Sequence, residues 1–96
     1  MSQCIAERQL LYSSKDSVER HPITVRILQP TVVDATDGTG QCIVEVHGLP
    51  KPVSERYYGA DTLQALQLAA DVEPLLKRFT REFDFFFPTG EGYFDE

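Results

Sequence analysis

Tyr57-Tyr58-Gly59-Ala60-Asp61-Thr62-Leu63-Gln64-Ala65-Leu66 joins a strand-forming pair of tyrosines, through one glycine, to a marked helix start. Asp61 has the short acceptor side chain that satisfies unpaired N–H groups at a helix N-cap. Gln64, three residues on, can reach back as in a capping box. From there Ala65, Leu68, Ala69, Val72, Leu76, Phe79 and Phe83 recur at spacings of three and four, the stripe of one long amphipathic helix. Pro74 falls nearly opposite that stripe at about 100° per residue, which predicts a bend around the core rather than a break. Leu63 and Leu66 lie off the stripe and need a second cover, from the C-terminal segment or from another molecule.

Four strand candidates precede the helix. Residues 5–12 mix polar and apolar side chains and end in the polar run Ser13-Ser14-Lys15-Asp16-Ser17, a turn or loop. Ile23, Val25 and Ile27 alternate with Thr24 and Arg26, the pattern of a half-buried strand. A flexible connection, Asp34-Ala35-Thr36-Asp37-Gly38-Thr39-Gly40, leads to Cys42, Val44 and Val46 alternating with Ile43, Glu45 and His47, so these two strands predict a hairpin. Gly48-Leu49-Pro50-Lys51-Pro52 turns the chain into a fourth strand, residues 53–58. The expected fold is α+β: a four-stranded antiparallel meander, then one long C-terminal helix on one face, with an aromatic tail folding back. One helix, placed last, excludes a βαβαβ nucleotide-binding fold.

The chain has 96 residues and 42% hydrophobic content, enough for a single core, so residues 1–96 are read as one α+β domain. No run of about 18 apolar residues occurs, and the N-terminus lacks a basic region followed by an apolar one, which predicts a cytoplasmic protein with no membrane contact. Cys4 and Cys42 lack the close spacing of a redox or zinc motif and read as reduced, partly buried thiols.

The charge of −6 is unevenly spread: residues 1–81 hold ten acids and nine bases, and residues 82–96 hold five acids and no base. That balance argues against nucleic acid, which needs clustered Lys and Arg. The last stretch, Asp84-Phe85-Phe86-Phe87-Pro88-Thr89-Gly90-Glu91-Gly92-Tyr93-Phe94-Asp95-Glu96, also holds five of the ten aromatic residues. These rings either complete the core or form an apolar patch ringed by acids, as protein-binding surfaces often are.

Candidate chemistry is sparse, and no catalytic, cofactor or metal site is expected. Asp34-x-x-Asp37-Gly38 offers loop oxygens but lacks the late glutamate of a calcium hand. His21 and His47 flank turns, where surface histidines are common. Cys42 and His47 fall on opposite faces of their strand, with no third group to orient a base. Glu82 and Asp84 would sit at the negative pole of the long helix, an unfavourable placement unless Lys77, Arg78 and Arg81 offset it.

Ile5-Ala6-Glu7-Arg8, Pro22-Ile23-Thr24-Val25-Arg26-Ile27 and Tyr58-Gly59-Ala60-Asp61-Thr62-Leu63-Gln64-Ala65-Leu66 together resemble a family of small bacterial domains of unknown function. The resemblance runs to about Leu76, its most specific part is Tyr-Gly-x-Asp-x-Leu-Gln-Ala-Leu, and it implies no catalytic residues. Pro74 and the aromatic, acidic C-terminus depart from its pattern. Size and acidity also resemble the immunity partners of bacterial toxins. The expected function is therefore a non-catalytic module that binds a protein, one carrying basic groups. Its contact surface would be Phe85, Phe86, Phe87, Tyr93 and Phe94 with Glu91, Asp95 and Glu96. A homodimer paired through Leu63 and Leu66 or through an open sheet edge is the alternative. A ligand-binding domain or small enzyme using His21, His47 or the tyrosines is a third reading.

Overall fold

In the computed structural model, which describes residues 3–94, six antiparallel strands form one sheet and two short helices cover one of its faces. The elements run β1 (Cys4–Ser14), β2 (His21–Leu28), β3 (Thr31–Asp34), β4 (Thr39–His47), β5 (Val53–Gly59), α1 (Thr62–Ala70), α2 (Glu73–Lys77) and β6 (Phe83–Phe86).

β2 and β3 are two halves of one ribbon. Ile27 faces Val44 and Thr31 faces Gln41, so both halves pair with β4, and the break between them falls at Gln29 and Pro30, where proline has no N–H to give the ladder. The β3–β4 turn is fixed by its own side chains. Asp34 accepts from the Thr36 N–H at 2.9 Å, Asp37 accepts from the Thr39 N–H at 2.9 Å, and Gly38 supplies φ 81°. The expected pairing of residues 23–28 with 42–47 is present, but the turn closes on β3, a strand that was not expected, and is ordered rather than flexible. β5 pairs along the other edge of β4 in unbroken register from Val46↔Val53 to Gly40↔Gly59.

Alternation sorts the sheet into two faces. Leu10, Tyr12, Ile23, Val25, Cys42, Val44 and Val46 point to the helices and are buried. Glu7, Thr24, Arg26, Glu45 and His47 point away, and register places Arg26 between Glu7 and Glu45 on that uncovered face. Both cysteines are free thiols.

The single long helix is not formed. Asp61 does cap α1, accepting from the Gln64 N–H at 2.8 Å, and the Gln64 side chain reaches back to the Ala60 N–H at 2.6 Å. α1 stops at Ala70. The Pro74 ring would collide with that carbonyl in a continuing helix, so the chain turns at Asp71 (φ −83°, ψ 87°) and Pro74 instead sits in the first turn of α2, where a missing N–H costs nothing. The expected stripe is thus divided among three elements. Ala65 and Ala69 bury from α1, Leu76 from α2 beside Leu75, which lies outside that stripe, and Phe83 from β6. Leu68 is 48% exposed and Leu63 63% exposed. Leu66 is partly buried against the core.

The four-stranded meander is likewise corrected to six strands. β6 lies beside β1, with Leu11↔Phe86 and Ser14↔Phe83, so the sheet closes with its last strand against its first. The expected clash of acids with a helix pole disappears with the long helix: Asp84 lies in β6 and bonds Lys15 Nζ at 2.6 Å.

α1 starts directly on two glycines. A Cβ on Gly59 would meet the Ala65 N atom at 2.5 Å, and one on Gly40 would meet the Thr62 Cα atom at 2.6 Å. No helix of the described residues is long and apolar enough to cross a membrane.

Candidate functional site

Past β6 the chain turns tightly and returns along it. The Phe87 N–H donates to the Glu91 carbonyl at 2.8 Å, the Gly90 N–H to the Phe87 carbonyl at 2.8 Å, and the Tyr93 N–H to the Phe85 carbonyl at 2.8 Å. Gly90 takes φ 104°, a conformation that favours glycine. Residues 83–94 therefore form a hairpin laid against β1.

Four cations hold this hairpin. Arg8 Nη1 donates to the Tyr93 hydroxyl at 2.6 Å. Arg20 stacks its guanidinium 3.7 Å from the Phe86 ring centre and donates to the Gly90 carbonyl at 3.1 Å. Lys77 lies 5.9 Å from the Phe94 ring centre, and Lys15 pairs with Asp84. Stacking of a cation on a ring contributes about 0.5–1 kcal/mol at an exposed site. The rings also pack edge to face: Tyr93 and Phe94 have centres 4.9 Å apart, and Phe85 and Phe94 6.2 Å apart.

The aromatic side chains of the expected patch divide between core and surface. Phe85 and Tyr93 are buried, Phe86 and Phe94 are half-buried, and Phe87 and Glu91 are exposed. Asp95 and Glu96 lie outside the described residues. Phe83, Asp84, Phe86, Phe94, Lys15 and Thr80 line a cleft of about 460 Å³ beside the hairpin. Its walls are half aromatic, its rim carries Asp84 and Lys15, and Glu91 stands on the adjoining turn.

The sequence missed the cations, and nothing local could have revealed them. Arg8, Lys15 and Arg20 lie 69 to 85 residues from their partners in sequence.

The remaining candidates stay apart. His47 Nε2 lies 2.8 Å from Glu45 Oε1 on the uncovered sheet face. His21 Nε2 lies 3.8 Å from Glu19 Oε2 beside the Tyr12 ring. Asp34 and Asp37 spend side-chain oxygens on their own turn. Burial first, only partly opposed by the Ile43 backbone N–H, pushes the Cys42 thiol above its ordinary range, which favours the neutral, unreactive form. Among the described residues no three His, Cys, Asp or Glu side chains converge as metal ligands would.

No family model matches this chain, and neither the curated proteins nor the solved structures compared with it contain a match.

Proposed function

We propose that the protein is a non-catalytic protein-binding module acting in the cytoplasm, and that the β6 hairpin is its contact surface. The observation that carries this reading is the cation-clamped aromatic hairpin itself. Phe86, Phe87 and Phe94 stand partly exposed beside the 460 Å³ cleft, on backbone held by three hydrogen bonds and four cations. Rings fixed before contact lose little entropy on binding, which is the property of effective interface anchors. Glu91, and Asp95 and Glu96 beyond it in the sequence, favour a partner with basic groups, the arrangement an immunity-like role would use.

Truncation after Phe83 would delete most of β6 and confuse binding with folding, so the test uses surface substitutions. Full-length chain and the double variant Phe87→Ala/Glu91→Lys are compared as baits in native lysate, with circular dichroism to verify that both are folded. A basic protein retained by the first and lost by the second supports the reading. Equal retention by both sinks it.

A further inference from the structure

The edges of β6 and β5 are treated differently. β6 is blunted by the returning segment, since Tyr93 occupies the Phe85 carbonyl and Glu91 the Phe87 N–H just past its end. β5 pairs only with β4 among the described residues. It runs for seven residues without a bulge or an internal proline, and none of its residues is buried. Unprotected edges of this length pair with another strand unless something prevents it.

We propose that β5 pairs with β5 of a second copy of this chain about a two-fold axis, joining two sheets into one. The side-chain pattern selects both the occupant and the register. In an antiparallel pair related by such an axis, opposite residues share a face. Centring the axis on Glu55 or on Arg56 sets like charges directly against each other. Centring it on Tyr57 removes that conflict and sets Arg56 opposite the partner's Tyr58, twice by symmetry. Both side chains are exposed, Tyr58 at 54%, and neither has a charged or aromatic partner within its own chain among the described residues. Each supplies what the other lacks, a cation over a ring face. Residues 55–59 then overlap, with about four to six backbone hydrogen bonds across the axis.

The helix layer permits this approach. α1 rests on β4 and β5 through Gly40 and Gly59. With strands about 4.8 Å apart, the two copies of α1 come to about 10 Å, an ordinary distance between packed helices. Gln64 marks the flank of α1 nearest β5, because a Cβ on Gly59 would touch it at 2.8 Å. Leu68, one turn on and 48% exposed, rides on that same flank and is covered when the second copy docks.

Sedimentation velocity on the full chain, at physiological salt and up to high micromolar concentration, tests the proposal with three forms. Wild type sediments as a reversible dimer. Tyr58→Arg sets Arg56 against a new cation at both symmetric contacts and weakens association by about tenfold or more. Arg56→Glu/Tyr58→Arg replaces those repulsions with ion pairs and restores association to within about threefold of wild type. A wild-type monomer throughout overturns the proposal, as does a dimer that Tyr58→Arg leaves unchanged. Failure of the double variant to recover, with circular dichroism showing it folded, overturns the register.

Discussion

Replacing Gly59 by alanine tests how α1 is seated. The added methyl carbon would lie 2.5 Å from the Ala65 N atom and 2.9 Å from the Gln64 carbonyl carbon, both backbone atoms that no rotamer change can move. Comfortable carbon contacts need about 3.5–4.0 Å, so α1 must lift by about an ångström. Ala65 and Ala69, both 0% exposed, would lose contact with the sheet, and a gap of that size forfeits about a quarter to a half of each contact's well. Overpacking alone costs about 1–3 kcal/mol, and the loosened layer brings the expected loss to about 2–4 kcal/mol. At about 4–8 °C per kcal/mol for a chain of this size, the melting midpoint falls by roughly 10–30 °C. Urea unfolding followed by far-ultraviolet circular dichroism measures it. Gly92→Ala is the control, because its nearest neighbour would be a carbonyl oxygen at an ordinary 3.7 Å, and its stability should stay within about 0.5 kcal/mol of wild type. Gly40→Ala presses on the same helical turn, so Gly40→Ala/Gly59→Ala should cost less than the sum of the singles, since one lift relieves both. A Gly59→Ala protein as stable as the Gly92→Ala control would refute this account of the helix seat.

Three further outcomes follow from the contacts. Asp61→Ala removes the α1 N-cap and lowers stability by about 1 kcal/mol, whereas Asp61→Asn keeps most of it; equal losses for the two would show that the oxygen is not what matters. Arg20→Ala removes both the stacking on Phe86 and the bond to Gly90, so hydrogen exchange at the Tyr93 amide should speed up by about fivefold, as a local loss of about 1 kcal/mol dictates. Unchanged exchange would mean the cation does not clamp the hairpin. Burial raises the Cys42 thiol above its ordinary 9.0, so the folded state keeps its proton where the unfolded state releases it. This contribution to stability is intact below pH 9.0 and is lost as pH rises from there toward the raised value. Accordingly iodoacetamide should label Cys4, which is partly exposed, well before Cys42 in the native protein, and parallel labelling of the two would contradict the burial.

The strands and the helix start were legible where their cause is local. Ile23, Val25 and Ile27 alternate because one face of β2 is buried, and Asp61 with Gln64 marks a cap wherever it occurs. The long helix was misread for a physical reason. Ala65, Ala69, Val72, Leu76 and Phe83 all enter the same core, so they keep an apparent 3.6-residue spacing although they belong to different elements. Pro74 was the true signal, and its effect turned on backbone: the lost N–H and the collision with the Ala70 carbonyl outweighed the apolar stripe. β6 was hidden because Phe83-Asp84-Phe85-Phe86 is too short for its two-residue period to stand out from a helical one. Its partner, β1, is at the opposite end of the chain. The residues of the candidate contact surface could be named from composition, but which rings would be buried depended on a pairing that no local pattern encodes.

The C-terminal hairpin explains where the chain's positive charge goes. Arg8, Lys15, Arg20 and Lys77 all turn toward it, four of the nine bases in the sequence. Residues 82–96 carry five acids, no base and six aromatic rings, so this segment brings both its own charge repulsion and a large apolar surface. Cations answer both problems at once, since they neutralise Asp84 and also stack on ring faces. The same hairpin fills the outer edge of β6 and so removes it as a template for pairing. Among the described residues β5 has no such cover, and its outward side chains alternate Ser54, Arg56 and Tyr58 without the lysine or proline that usually guards an edge. One edge therefore presents side chains on a closed backbone, suited to a partner of different shape. The other presents open backbone with a self-complementary pattern, suited to another copy, so disabling one surface should leave binding at the other intact.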